Sequence, residues 1–203
     1  MSHPLARDPA SFATLFIQAR SQRAFRDQAI DPAVLESVYD LAKWGPTSMN
    51  CCPARFVFVT SDEARDRLAE CAMEGNRERI RSAPATVIIA TDSNWYEQLP
   101  VLAPHMQGAR DRFAGNPELA ETNGFRNGTL QGAYLMIAAR AHGLDLAPMS
   151  GFDAGKVNQA FFAEGTEMES WQANWICCMG YGDHEKLHPR APRMAFEEAC
   201  RVA

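Results

Sequence analysis

Hydrophobic and polar positions along this chain predict helices and strands in alternation. Apolar residues that recur every three or four positions predict helices over residues 9–22, 31–44, 62–73, 117–142 and 154–163. Short apolar runs rich in β-branched residues predict strands over residues 54–60, 85–91 and 174–180. No internal repeat or linker interrupts the pattern, and 203 residues suit one domain, so residues 1–203 are predicted to fold as a unit.

The predicted helix over 117–142 differs from the others because small residues accompany its apolar stripe. Glycines at positions 128 and 132 would let a neighbouring element approach closely, which predicts a central helix, and Gly143 is predicted to end it. Three strands are few for a chain of this length, so we expect others that are weakly signalled in the sequence or supplied from elsewhere, for example by a partner subunit. The segment 187–203 is too short to fold alone and is expected to dock on another surface.

Composition and charge narrow the possible partners. No apolar run approaches the roughly 18 residues of a membrane span, and the first eight residues lack the apolar core of a signal peptide. We therefore expect a cytoplasmic protein with no membrane partner. A formal net charge of -5 argues against general affinity for nucleic acid, so a bound anion would need a local arginine cluster.

The cysteines and histidines do not form a recognisable metal motif. The six cysteines include two adjacent pairs, Cys51-Cys52 and Cys177-Cys178, and adjacency strains a disulfide. Zinc sites usually place two to four residues between paired ligands, and no such spacing occurs. His184 and His188 are four positions apart, but Pro189 favours a solvated loop there. No metal is predicted.

Two sequence features carry candidate binding chemistry. The stretch 45–53 places two hydroxyls, a carboxamide and two thiols between prolines where a helix passes into a strand, which is typical of a binding loop or of an ordinary proline-closed turn. Arginines occur in pairs at Arg20/Arg23 and at Arg190/Arg193. Their planar groups suit phosphate, although each pair is also compatible with a solvated face. Neither a dinucleotide-binding glycine motif nor a P-loop is present.

The order of four polar blocks resembles that of the nitroreductase family of flavin enzymes over essentially the whole chain. Arg20-Ser21-Gln22-Arg23-Ala24-Phe25 is similar to the family's N-terminal motif, and residues 45–50 to a loop that crosses a dimer interface. Pro148-Met149-Ser150-Gly151-Phe152-Asp153 is similar to a turn over the flavin. Gly180-Tyr181-Gly182 with Arg190 and Arg193 is similar to a C-terminal phosphate clamp.

The resemblance implies an α+β fold with a central, mostly antiparallel sheet flanked by helices, an intertwined homodimer and bound FMN. The FMN-binding residues that it implies are Arg20, Ser21, Arg23, Pro46, Thr47, Ser48, Asn50, Asn76, Arg79, Pro148, Met149, Ser150, Gly151, Arg190 and Arg193. No side chain is implied as acid, base or nucleophile, because the flavin N5 itself accepts hydride. The backbone N–H groups of Ser150 and Gly151 are expected to stabilise charge on the reduced ring.

Departures from the family pattern affect the expected substrate more than the cofactor. Ala19 stands where many members have a further Arg, and Ser150 replaces a Glu that is common in nitro-reducing members. Cys51-Cys52-Pro53-Ala54 replaces a usual Ser-Gln-Pro-Trp. The segments 44–48, 53–55, 125–127 and 195–200 resemble the subgroup that contains malonic semialdehyde reductase, many of whose members are called only NADH dehydrogenase or nitroreductase.

The implied reaction is a ping-pong transfer from NADH or NADPH through FMN to a small electron-poor acceptor. A malonic semialdehyde-like carbonyl (an enzyme of 3-hydroxypropionate dehydrogenase type), a nitro compound and a quinone are the candidate acceptors. Two alternatives stay open at this point. One is a flavin-binding module without turnover, and the other is a thiol redox protein that uses one of the adjacent cysteine pairs.

Overall fold

A four-stranded antiparallel sheet forms the centre of the computed structural model, which describes residues 9–203. The strands are β1 (Ala54–Val59), β2 (Ala85–Asp92), β3 (Asp145–Met149) and β4 (Trp171–Gly180), in the spatial order β1-β2-β4-β3. Every neighbouring pair is antiparallel. β2 is almost wholly buried, and helices cover both faces of the sheet, which explains why β2 is an unbroken apolar run.

Nine α-helices surround this sheet within the described residues. They are α1 (Pro9–Phe12), α2 (Pro32–Ala42), α3 (Asp62–Glu70), α4 (Glu74–Ser82), α5 (Leu99–Leu102), α6 (Ala109–Ala114), α7 (Pro117–Ala141), α8 (Ala154–Phe161) and α9 (Phe196–Ala199). A π-helical turn (Ala13–Ile17) follows α1, and 3₁₀ turns lie at Ser48–Asn50, Trp95–Gln98 and His184–Lys186. None of the helices within residues 9–203 is long and apolar enough to span a membrane.

The helix boundaries follow local hydrogen-bonding rules. Asp31 caps α2 by accepting a hydrogen bond from the Ala33 N–H at 2.9 Å, as the sequence predicts. α7 ends as predicted beside Gly143, whose φ of 79° lies in the left-handed region. The Leu144 N–H donates to the Ala139 carbonyl at 3.0 Å, which completes a Schellman motif.

Two hydrophobic clusters occupy the two faces of the sheet because alternate residues of a strand point in opposite directions. On one face Ile88 and Ile176 pack with residues of α3, α4 and α8. On the other face Val87 and Cys177 pack with residues of α2 and α7, including Leu135. Full burial of a side chain such as Leu135 stabilises the fold by about 1.5–3 kcal/mol.

Glycines on one side of α7 bring it close to the sheet, as the small residues predict. A Cβ on Gly128 would lie 2.6 Å from Oγ1 of Thr91, and a Cβ on Gly132 would lie 2.4 Å from the Trp175 ring. Neither distance is tolerable for real atoms. These positions therefore set how closely α7 approaches the sheet.

Three sequence predictions about elements are wrong. β3 was not predicted because it is short and contains Pro148, which the sheet accepts at its edge. Nor was α4 predicted, because its many charged residues hide its periodicity. The first helix was predicted to reach residue 22, but helical structure ends at Ile17, and Ser21 and Phe25 form isolated bridges with Leu146 of β3 and with Gly182 after β4.

Candidate functional site

The N-terminal polar motif lies along the edge of the sheet. The Gln22 N–H donates to the Leu146 carbonyl at 2.8 Å, and the Arg26 N–H donates to the Tyr181 carbonyl at 2.7 Å. Gln22 is buried, whereas Ser21 and Arg23 are exposed. The backbone is therefore fixed by β3 and by the end of β4, while the predicted binding side chains remain available.

The structure brings the two ends of the chain together at this motif. Arg190 donates to the Ala19 carbonyl at 3.1 Å and to the Ile17 carbonyl at 2.5 Å. Arg20 donates in return to the carbonyl of His188. Arg193 donates only to neighbouring carbonyls of its own segment. Arg20 and Arg190 thus bond to each other's segments, while no hydrogen bond among the described residues joins Arg23 or Arg193 to them.

A carboxylate that sequence reasoning missed ties these ends to the sheet. Asp145 accepts hydrogen bonds from the Gln22 side chain and from the Gly182 N–H, both at 3.0 Å. His184 Nε2 also lies 3.0 Å from this carboxylate. Asp145 begins a strand that the sequence did not reveal, so no signal in the sequence pointed to it.

The predicted turn after β3 is clamped against the start of α4. The Gly151 carbonyl accepts hydrogen bonds from the Met73 N–H and from the Asn76 amide, each at 3.0 Å. A Cβ on Gly151 would lie 2.6 Å from the Asn76 amide nitrogen, so a larger residue here would displace the Asn76 amide from the turn. None of the described residues accepts a hydrogen bond from the Ser150 or Gly151 N–H. Both groups are available to a ligand.

Arg79 and Gln22 carry buried polar atoms without partners among the described residues. Those atoms are Nε of Arg79 and Oε1 of Gln22. Buried polar atoms normally find a hydrogen-bond partner, and a guanidinium is best satisfied by an anion. Asn76 and Arg79 lie on the same helix, one turn apart, as the predicted site requires.

The loop 46–52 has an unusual backbone. Met49, Asn50 and Cys52 all have positive φ, at 55°, 53° and 39°. L-residues other than glycine seldom adopt such values, and clusters of them mark ligand clamps and active sites. Pro46, which precedes these residues in the sequence, is exposed.

The polar side chains of this loop differ in their hydrogen bonding and exposure. The Thr47 hydroxyl accepts from the Cys52 N–H at 3.3 Å, and the Asn50 amide donates to the Leu102 carbonyl at 2.9 Å. The Ser48 side chain is exposed. No hydrogen bond among the described residues connects the loop with Arg20 or Gly151.

The adjacent cysteines are poor candidates for redox chemistry. All six cysteines are free, and burial raises the pKa of Cys51 and of Cys178 to about 11 each. Burial also raises the pKa of Cys177. A reactive thiol needs a lowered pKa, because the thiolate is the nucleophile. Within residues 9–203 no three His, Cys, Asp or Glu side chains cluster closely enough to hold a metal ion.

Comparison with solved structures shows where this fold has been seen. A nitroreductase from Bacillus subtilis matches with a TM-score of 0.80 at 21% identity, covering 97% of this chain and 100% of the other. A nitroreductase from Exiguobacterium sibiricum, solved in complex with FMN, matches with a TM-score of 0.79 at 22% identity and covers 98% of each chain. These likenesses confirm the predicted fold.

Sequence comparison gives the family. A protein of Stenotrophomonas maltophilia named "Putative NADH dehydrogenase/NAD(P)H nitroreductase" is 51% identical over 203 residues, which is 100% of both chains. A protein of Ralstonia pickettii with the same name and the suffix HadB is 50% identical over 196 residues, 95% of this chain and 97% of the other. The profile of the Nitroreductase family matches residues 17–181. The chain is a member of the nitroreductase family.

Proposed function

We propose that this protein is an FMN-dependent oxidoreductase that uses NADH or NADPH to reduce a small electron-poor acceptor. Family membership and relatives named NAD(P)H nitroreductase support a reductase. The neighbour that was solved with FMN supports the cofactor. The observation that carries the proposal is the turn at Gly151, whose carbonyl is clamped and whose N–H group faces no protein acceptor.

The residues present fit FMN. Arg79 offers a buried guanidinium nitrogen without a partner, and the Arg20/Arg190 pair offers further positive charge at the edge of the sheet. Arg23 is exposed and is free to join them. Ser21, Pro148 and Met149 lie on the two backbone segments that meet beside Leu146, and their proposed role is contact with the cofactor. The four arginines Arg20, Arg23, Arg190 and Arg193 are proposed to hold the phosphate.

The chain's own contribution is orientation and electrostatics. FMN supplies the hydride chemistry when it is bound, so the protein need not provide an acid or a nucleophile. The Ser150 and Gly151 N–H groups donate hydrogen bonds to negative charge that develops beside them. Asn76 holds this turn through the Gly151 carbonyl, and its amide oxygen remains available to the cofactor.

We also propose that two copies of the chain form the active unit. Apolar side chains are exposed on the N-terminal turn, on α2, on α7 and on α9; they are Phe16, Ile17, Leu41, Trp44, Leu130 and Phe196. Trp44 is 80% exposed, and we propose that the interface covers these apolar side chains. In such a dimer the loop 46–52 would complete the site of the partner subunit.

The preferred acceptor follows from the subgroup rather than from the fold. Segments 44–48, 53–55, 125–127 and 195–200 favour a malonic semialdehyde-like carbonyl, which corresponds to an enzyme of 3-hydroxypropionate dehydrogenase type. Nitro compounds and quinones are the other acceptors proposed. Because NADH and NADPH are metabolites of the cytoplasm, the proposed reaction agrees with the expected cytoplasmic location. The raised thiol pKa values of Cys51 and Cys178 disfavour a thiol redox protein.

The visible spectrum of the purified protein tests this function. We expect flavin absorption, bleaching by NADH or NADPH without oxygen, and recovery of the absorption on addition of the acceptor. A protein that stays colourless and does not take up FMN would contradict the cofactor proposal. Flavin that is bound but not bleached would instead indicate a module without turnover. The ranking of kcat/KM over malonic semialdehyde, a nitroarene and a quinone would then identify the acceptor.

A further inference from the structure

Three side chains on one stripe of α7 attach the loop 46–52, and the first residue of β1 that follows it, to the body of the protein. The Asn127 Oδ1 accepts a hydrogen bond from the Ser48 N–H at 2.8 Å, and the Gln131 Oε1 accepts one from the Ala54 N–H at 2.9 Å. The Tyr134 hydroxyl donates to the Pro46 carbonyl at 2.9 Å. Spacings of four and three residues place these side chains on one face of a helix.

We propose that Asn127 and Gln131 are positioning residues: Asn127 holds the loop at Ser48 and Gln131 holds its exit into β1 at Ala54, which together keep the strained backbone needed to complete the FMN site. The proposal rests on the proposed function, in which the loop faces the cofactor of the partner subunit. Neither residue is assigned a contact with FMN. They act through the loop backbone.

Backbone strain in the loop explains why buried amides are used here. Three residues of the loop have positive φ, and such a backbone relaxes unless its surroundings determine it. Side chains on a long, packed helix provide a rigid reference, and a site is more precise when it is supported by helices than by loops. Asn127 and Gln131 are 7% and 8% exposed, so water does not compete with their hydrogen bonds.

The choice of residue type also points to positioning. The Asn127 Nδ2 donates to the Asn123 carbonyl at 2.9 Å, which fixes the amide so that its oxygen faces Ser48. Buried amides on a helix that otherwise packs against apolar side chains cost free energy unless they are hydrogen-bonded. A leucine would fill the same space. The hydrogen bonds to this backbone segment therefore explain why amides, and not apolar side chains, occupy these buried positions.

Asn123 offers a matched control on the same helix. It lies one turn before Asn127, and its amide also donates to a backbone carbonyl, that of Leu119 at 3.0 Å. It makes no hydrogen bond to the loop. Replacement of Asn123 by Leu thus repeats the chemical change of Asn127→Leu without removing a hydrogen bond to the loop.

The experiment measures FMN affinity and loop protection in the full-length protein. We expect Asn127→Leu and Gln131→Met each to raise the Kd for FMN by about tenfold, the factor that corresponds to loss of one hydrogen bond to a buried group. Asn127→Asp keeps an oxygen for the Ser48 N–H but loses the donor to the Asn123 carbonyl, so its Kd should lie between those of the wild type and Asn127→Leu. Thermolysin should cleave within residues 46–52 faster in Asn127→Leu than in Asn123→Leu.

The readouts separate positioning from simple stability. An unchanged Kd in both Asn127→Leu and Gln131→Met would overturn the proposal, even if their melting temperatures fell. Equal cleavage of the loop in Asn127→Leu and Asn123→Leu would also overturn it. If Asn127→Leu does not fold, Gln131→Met and Asn127→Asp carry the test. A wild-type protein that does not bind FMN would refute the proposed function, whereas the cleavage rates would still decide whether the amides hold the loop.

Discussion

The guanidinium of Arg190 donates a hydrogen bond to the backbone carbonyl of Ala19, although 171 residues separate them. Many family members have an arginine where Ala19 stands, and the contact uses only the backbone of that position. The alanine therefore does not prevent the C-terminal segment from docking. The candidate anion site is therefore formed by residues from both ends of the chain.

Arg23→Ala is expected to weaken FMN binding more than it changes turnover. The side chain is exposed and has no partner among the described residues, so its loss should not damage the fold. Charge-assisted hydrogen bonds to phosphate are worth about 1.5–3 kcal/mol, which corresponds to a Kd increase of about tenfold or more. Fluorescence titration of apoprotein with FMN measures this. Arg112→Ala, on α6, is the control, and equal Kd values in both variants would refute the assignment.

Removal of residues 187–203 is expected to reduce both dimer stability and FMN retention. The segment is exposed along most of its length in one subunit, yet it carries Arg190 and the apolar Phe196. Sedimentation at micromolar concentration should show a dimer for the full chain and a larger monomer fraction for the shortened one. Removal of residues 201–203 alone should have little effect. A full-length protein that sediments as a monomer would exclude the dimer.

Mixed dimers can show which subunit receives the loop. One chain carries Asn50→Ala and the other carries Arg23→Ala. If the loop completes the partner's site, one site combines an intact loop with intact arginines and keeps its activity. If the loop serves its own subunit, both sites are impaired. At an FMN concentration near the wild-type Kd, turnover per dimer near half of the wild-type value supports the proposed arrangement, and turnover well below half contradicts it.

Gly132→Ala is expected to destabilise the protein by about 1–3 kcal/mol, the usual cost of forcing extra volume into a packed interior. Its Cβ would lie 2.4 Å from the Trp175 ring. Gly75→Ala in α4 is the matched change, because nothing lies within 4 Å of the added atom. That variant should be neutral or more stable by up to about 1 kcal/mol. Urea unfolding compares the two, and equal midpoints would show that α7 can shift freely.

Alkaline pH is expected to destabilise the protein partly through Cys51. Burial raises the pKa of this thiol from its ordinary value of 9.0 to about 11. Between these pH values the unfolded chain has lost the proton that the folded chain retains, so the free energy of unfolding falls as pH rises. Below pH 9 this thiol leaves the free energy of unfolding unaffected, because it keeps its proton in both states. Cys51→Ala should reduce the loss between pH 8 and 10.5 by on the order of 1 kcal/mol. The exposed Cys200→Ala should not, and identical slopes would exclude this contribution.

The sequence by itself determined the elements whose signals are local. The caps and periodicity of α2, the span of α7 with its stop at Gly143, and the apolar run of β2 were all predicted. These features depend on neighbouring residues, so no distant contact is needed to read them. The order of polar blocks likewise sufficed to predict the family and the fold.

Tertiary structure alone decided the parts that depend on distant residues. β3 is a strand because β4 supplies its hydrogen-bond partners, although its own residues, Pro148 included, favour a loop. Asp145 gained its role because the fold brings Gln22 and Gly182 to it. The positive φ values at Met49, Asn50 and Cys52 are maintained by contacts with α7 and with Leu102, residues that lie far along the chain from the loop. Backbone strain of this kind has no local signature, because it is stabilised only by the surrounding structure.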